Sequence, residues 1–171
     1  MAKKREPKYD ESAKFFSYGD TDQDLWLLFT HARYAVYRAR EKELQALGTS
    51  PEHVGALFII QALGEKATPS EIARQMIRRP HTVSALLKRM VKIGLIKEVK
   101  DLDRKNMVRA VLTDKGKRIY KASTLRGPIH RILGQLNDNE KKRFRKTLEK
   151  ILAEARKEIG LDQDELPRSE S

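Results

Sequence analysis

The chain has 171 residues, 36 Lys or Arg against 24 Asp or Glu, a formal net charge of +12 and no Cys. That length supports one domain with a sizeable core. The missing Cys excludes disulfides, thiolate metal sites and oxidant sensing through a reactive thiol.

The charge is unevenly spread. Residues 66–110 carry 12 basic and 4 acidic side chains, net +8, and residues 111–137 carry 6 and 1, net +5. The flanks are close to neutral: 9 basic and 10 acidic over 1–65, and 9 of each over 138–171. A generally basic protein would spread the excess; here it is confined to residues 66–137. The longest apolar run, 54–60, is too short to span a membrane, and no apolar segment follows the basic start MAKKREPK. A cytoplasmic protein with neither membrane helix nor signal peptide is expected.

In chain order, residues 1–20 are polar and charged and are expected to form a flexible arm. Phe15, Phe16 and Tyr18 suggest that its end docks, on its own chain or on a partner subunit. A long helix is predicted over 22–47, started by Thr21 and stopped by Gly48. Leu25, Leu28, Phe29, Ala32, Val36 and Ala39 form one stripe, with Trp26, Tyr37 and Leu44 beside it and Leu27 and Tyr34 nearly opposite. A helix apolar most of the way round needs cover on more than one side. In a chain this small, that argues for a second subunit. Ser50-Pro51 opens the next helix, with Val54, Leu57, Phe58 and Leu63 as its core and Gly64 at its end.

Thr68 can cap a third helix with Pro69 in its first position, and Glu71 completes a T-x-x-E capping box. Ile72, Ala73 and Met76 give it one apolar stripe. An Arg-rich turn follows at 77–79, and Pro80 opens a helix that runs to Gly94. At 100° steps, Val83, Leu86, Leu87, Met90 and Ile93 fall on one side and His81, Thr82, Ala85, Lys88, Arg89 and Lys92 on the other. An ordinary solvated face mixes acids with its cations, yet residues 72–97 contain no acid. A helix that shows solvent only cations and small residues suits the DNA major groove.

Two strands, 95–100 and 107–112, flank a polar tip at 101–106. Arg104 and Lys105 stand there, where a long cation can enter the narrow minor groove. Asp101 and Asp103 are expected to structure this wing by binding loop amides or orienting a guanidinium. Thr113 can cap a helix beginning DKGKRIY, Gly127-Pro128 predicts a break, and a last helix runs over 138–159 with Phe144, Leu148, Ile151, Leu152 and Ala155 on one face. Residues 160–171 read as a disordered tail.

The run PSEIARQM, TVSALLKRMVKIGLI, DLDRK and VRAVLTDKG resembles the winged helix-turn-helix of the MarR family of bacterial and archaeal transcription regulators. The resemblance is strongest over 52–118 and extends in outline over 21–159; its most specific element is D-x-D-R-K/R followed by V-x-x-x-LT-x-x-G. It implies a mainly α fold with a small β-hairpin wing, the winged helix-turn-helix at about 50–113 lying between dimerisation helices at about 21–47 and 114–159. It also implies a homodimer on double-stranded DNA, with the recognition helix at 80–93 and the wing arginine at Arg104. The family commonly caps the recognition helix with Ser or Thr; Arg79 and Pro80 stand there instead, so the free N–H groups are open to a phosphate. On this reading Arg78, Arg79, Lys88 and Lys92 neutralise phosphates, and His81, Thr82, Ser84, Ala85 and Arg89 face base edges.

Some members of the family bind small aromatic or phenolic anions between the dimerisation helices and the winged domain. Trp26, His31, Tyr34, Tyr37 and Arg38 are the candidate lining of such a cleft here, with Arg38 or His31 meeting a carboxylate. The four His (His31, His53, His81, His130) have no metal-site spacing, and no nucleophile motif or phosphate-binding Gly loop occurs. Neither cofactor nor enzymatic activity is expected. The same residues leave two other classes open: an architectural DNA binder without a specific operator, and a winged-helix protein-interaction module.

Overall fold

Asp20, not Thr21, starts the first helix: its carboxylate accepts the Gln23 N–H at 3.0 Å, and Thr21 already lies inside α1 (Thr21–Gln45). The computed structural model describes residues 8–11, 15–100 and 108–161. The wing tip and the tail beyond Leu161 lie outside them. Ahead of α1, β1 (Lys8–Asp10) and β2 (Phe15–Ser17) pair antiparallel, with Tyr9 edge-on to Phe16 at 5.4 Å. Ser17 Oγ and the Tyr18 N–H donate to the two oxygens of Asp24 at 2.6 and 2.7 Å. The described part of the expected flexible arm is therefore a hairpin docked on its own chain, because Asp24 supplies both acceptors.

Ser50 accepts the His53 N–H and starts α2 (Pro51–Leu63), which ends at Gly64 in a 3-10 turn. Its buried face is Ala56, Leu57 and Ile60. Of the expected core, Leu57 is buried, Val54 and Leu63 are half-buried, and Phe58 is 48% exposed, with the Tyr120 ring 6.5 Å away. α2 is apolar on nearly every side, so residue type alone could not pick the face.

Thr68 caps α3 (Pro69–Gln75) as expected, accepting from Glu71 N. The capping box stays half-formed, because Glu71 turns to Arg74 and Gln75 while the Thr68 N–H donates to Lys66 O. α4 (Pro80–Lys92) buries Val83, Leu86, Leu87 and Met90. β3 (Ile96–Lys100) and β4 (Val108–Leu112) pair antiparallel, Ile96 opposite Leu112 and Lys100 opposite Val108. Thr113 caps α5 (Asp114–Ser123). The break at Gly127-Pro128 is present: Arg126 adopts φ 46 between α5 and α6 (Gly127–Leu133). Asn137 and Glu140 form a full capping box at the start of α7 (Asp138–Glu158).

One apolar cluster joins α2, α3, α4, β3 and β4, with Ala67 between them. Burial of this cluster is the main source of stability. α1 adds only Leu44 to the buried apolar side chains, and α6 and α7 add none. Their stripes, including Leu25, Leu28, Phe29, Phe144, Ile151 and Leu152, are exposed. The core thus sits under the winged-helix part.

Candidate nucleic-acid interface

The interface is built on one helix terminus, one turn and one hairpin. α3 ends in a Schellman motif: Ile77 N–H donates to Arg74 O and Arg78 N–H to Ala73 O, both at 3.1 Å, with Ile77 at φ 53. That reversal brings Arg78 and Arg79 to the surface at the start of α4. Arg79 holds the N-cap position with extended backbone and no side-chain cap, as its chemistry requires. Pro80 has no N–H, those of Thr82 and Val83 donate to Arg79 O at 3.0 and 3.2 Å, and no acid stands in this turn to offset the positive end of the α4 dipole.

His81, Thr82, Ala85, Lys88, Arg89 and Lys92 are all exposed, and Ser84 is half-buried among them. The helix thus separates a buried apolar row from a solvent row free of acids. Ile93 departs from expectation: it is 41% exposed, because the helix ends at Lys92 and Ile93 is its C-cap. In the hairpin, Lys97 and Lys100 are exposed. Asp101, Asp103, Arg104 and Lys105 lie outside the described residues.

Behind α4 stand two groups that periodicity could not single out. Glu52 Oε1 accepts from Arg78 Nη1 at 2.8 Å, across 26 residues of sequence. His53 beside it has a buried Nδ1 with no hydrogen-bond partner. Burial first, then the nearby Arg89 charge, holds its imidazole below the usual histidine value.

The candidate ligand residues do not converge. Trp26 and Tyr34 are 62% and 59% exposed. His31 Nδ1 lies 2.9 Å from Leu27 O, and Arg38 pairs with Glu41 at 3.1 Å. Tyr37 is half-buried, and burial, then the Glu52 charge, raises its phenol above the usual value. None of the five lines the groove of about 630 Å³ between α6 and α7, or the smaller one of about 270 Å³ against α2 and β4. They lie on an open helix face instead. No cluster of three or more His, Asp or Glu with metal-site geometry occurs among the described residues.

This architecture is that of a winged-helix DNA-binding module, and residues 50–116 match the family model described as a winged helix DNA-binding domain. An organohalide-sensing transcriptional regulator, RdhR, solved with 2,4-dichlorophenol, is similar at 31% identity over 83% of each chain, with a TM-score of 0.71. Its ligand-free form is 28% identical over 92% of this chain and 95% of that one, with a TM-score of 0.72. MepR of S. aureus in complex with DNA shares the fold at 22% identity, TM-score 0.68, over 75% of this chain and 94% of its own. A mutant MarR of E. coli with operator DNA does so at 19% identity, TM-score 0.67, over 73% and 91%. No curated protein matches the chain. The chain belongs to the MarR family of winged-helix, DNA-binding transcriptional regulators.

Proposed function

We propose that this regulator is a cytoplasmic homodimer that represses transcription by holding a pseudo-palindromic operator, and that it carries out no catalysis. The observation that carries this reading is the solvent face of α4, where every charged side chain is a cation. Two such helices, one from each subunit, would enter major-groove half-sites about 34–36 Å apart. The working unit spans 21–159, with the reading head at about 50–113. Arg78, Arg79, Lys88 and Lys92 serve phosphates; His81, Thr82, Ser84, Ala85 and Arg89 serve base edges; Arg104 and Lys105 serve the minor groove, held by Asp101 and Asp103. Bound at a promoter, the dimer excludes polymerase.

The similarity to a regulator solved with 2,4-dichlorophenol supports an aromatic, weakly acidic effector. Trp26, His31, Tyr34, Tyr37 and Arg38 are its proposed contacts; their open face on α1 becomes a cleft wall only when a second subunit covers it. The effector releases DNA by binding one spacing of the two heads better than the other.

Selection from a randomised duplex library, followed by fluorescence anisotropy at one salt concentration, tests the reading. The selected duplex should bind about a thousandfold more tightly than its shuffled counterpart. Equal affinity would replace the operator with architectural binding, and no binding would point to a protein-interaction module. Arg104→Ala should weaken the selected complex by about 1–3 kcal/mol; an unchanged affinity would remove the wing from the interface.

A further inference from the structure

The acid-free run 72–97 does not stay acid-free in space. α2 brings one carboxylate to it, that of Glu52, which accepts from Arg78 Nη1. The other acid bordering the turn, Glu71, is occupied by Arg74 and Gln75. The Glu52–Arg78 pair is made by a single hydrogen bond, and the two side chains are 35% and 39% exposed. Solvent-exposed pairs of this kind contribute little, so an arriving phosphate can displace the carboxylate. Glu52 stands in the first turn of α2, whose dipole favours a carboxylate with or without Arg78. It therefore remains a negative charge beside the guanidinium when DNA approaches.

We propose that Glu52 sets the DNA affinity of this regulator by competing with DNA phosphates for Arg78. The proposal rests on the assignment of Arg78 to a phosphate. In the free protein Glu52 holds the guanidinium and cancels its charge. On DNA, Arg78 must leave Glu52 or share itself between the carboxylate and a phosphate. The head so restrained binds less tightly than its cations alone would allow, which keeps a repressor releasable. Tyr37 of α1 lies close enough to feel the Glu52 charge, so the pair also borders the helix assigned to dimerisation.

The test measures anisotropy of the selected duplex over a salt series with the full-length protein, Glu52→Gln, Arg78→Ala and the double variant. Glu52→Gln should tighten binding about three- to tenfold at ~0.1 M salt and steepen the log–log salt slope by about one. In the Arg78→Ala background the same change should move affinity less than about twofold. An equal gain with and without Arg78 would make Glu52 a mere background charge, and weaker binding by Glu52→Gln would make it a support of the head; either overturns the competition. Arg78→Ala binding like the wild type would instead overturn the phosphate assignment of Arg78 itself. Glu52→Ala, which removes the acceptor altogether, repeats the test should the Gln variant fail to melt cooperatively.

Discussion

Two residues at corresponding positions show how local geometry and side-chain choice can disagree. α3 and α4 both end in Schellman motifs, the second closed by Leu95 N–H to Met90 O with Gly94 at φ 72. At the first, the left-handed position holds Ile77. Left-handed backbone costs a residue with a Cβ about 1–2 kcal/mol, and more freedom in the unfolded Gly offsets about 0.5–1 kcal/mol of any gain. Ile77→Gly should therefore stabilise the fold by about 0.5–1 kcal/mol, read as a higher urea midpoint at unchanged slope. A lower midpoint would mean that the half-exposed Ile77 side chain makes contacts worth more than its strain. His53 argues in the opposite direction. Its folded-state value lies below 6.5, so on acidification the unfolded chain takes up a proton first. Its contribution is complete above 6.5 and is lost progressively as pH falls from there toward the folded value. The urea midpoint should drop as pH falls through and below 6.5, and His53→Gln should flatten that part of the profile. An identical profile in the variant would assign the pH dependence to other groups.

Between elements, the joint of wing and α5 depends on one missing side chain. Thr113 Oγ1 donates to Gly94 O at 2.6 Å and accepts the Gly116 N–H at 3.0 Å, which seats α5 on the turn before β3. A Cβ at Gly116 would stand 2.0 Å from Leu95 O, a backbone atom with no flexible end to yield. Gly116→Ala should cost about 3 kcal/mol or more, beyond ordinary overpacking, while Lys117→Ala next to it should be close to neutral; thermal unfolding of the two variants decides it. Features of this local kind were readable in the sequence. The caps at Ser50, Thr68 and Thr113, the stop at Gly94 and the break at Gly127-Pro128 are all decided within about one helical turn. The two faces of α4 were readable too, because its apolar and cationic rows keep a strict period. What escaped depends on distant partners. The buried face of α2 is chosen by α5 and β4, and Asp20 displaced Thr21 as a cap through the placement of its carboxylate. The latch of α1 on the α5–α6 break joins residues about 84 positions apart: Arg40 donates to Glu43 and to Ser123 O, while Glu43 accepts the Gly127 N–H at 2.9 Å. The competitor of Arg78 escaped for the same reason.

For the whole molecule, burial is lopsided in a way that sequence patterning anticipated and one chain does not resolve. The winged part has its own closed cluster, but α1, α6 and α7 turn apolar stripes outward. Single exposed apolar residues are ordinary; several contiguous ones on three helices are the mark of an interface. Opposing copies of the same stripes would cover one another across a twofold axis and leave both α4 faces free for DNA. Leu152, in mid-stripe on α7 and 42% exposed, separates this from a merely greasy surface. In the monomer, Leu152→Lys places a charge at a half-open site and should change the unfolding midpoint little. In the dimer it buries a charge without a partner. Sedimentation equilibrium should therefore give twice 19.7 kDa for the natural chain and about half of that for the variant. With the two heads unlinked, affinity for a two-half-site duplex should fall at least about a hundredfold, while affinity for a single half-site should hardly move. A variant that stays dimeric and binds both duplexes as the natural chain does would place the interface elsewhere. One that loses single-site binding as well would show that α7 supports the head itself, and the division into a reading part and a pairing part would fall.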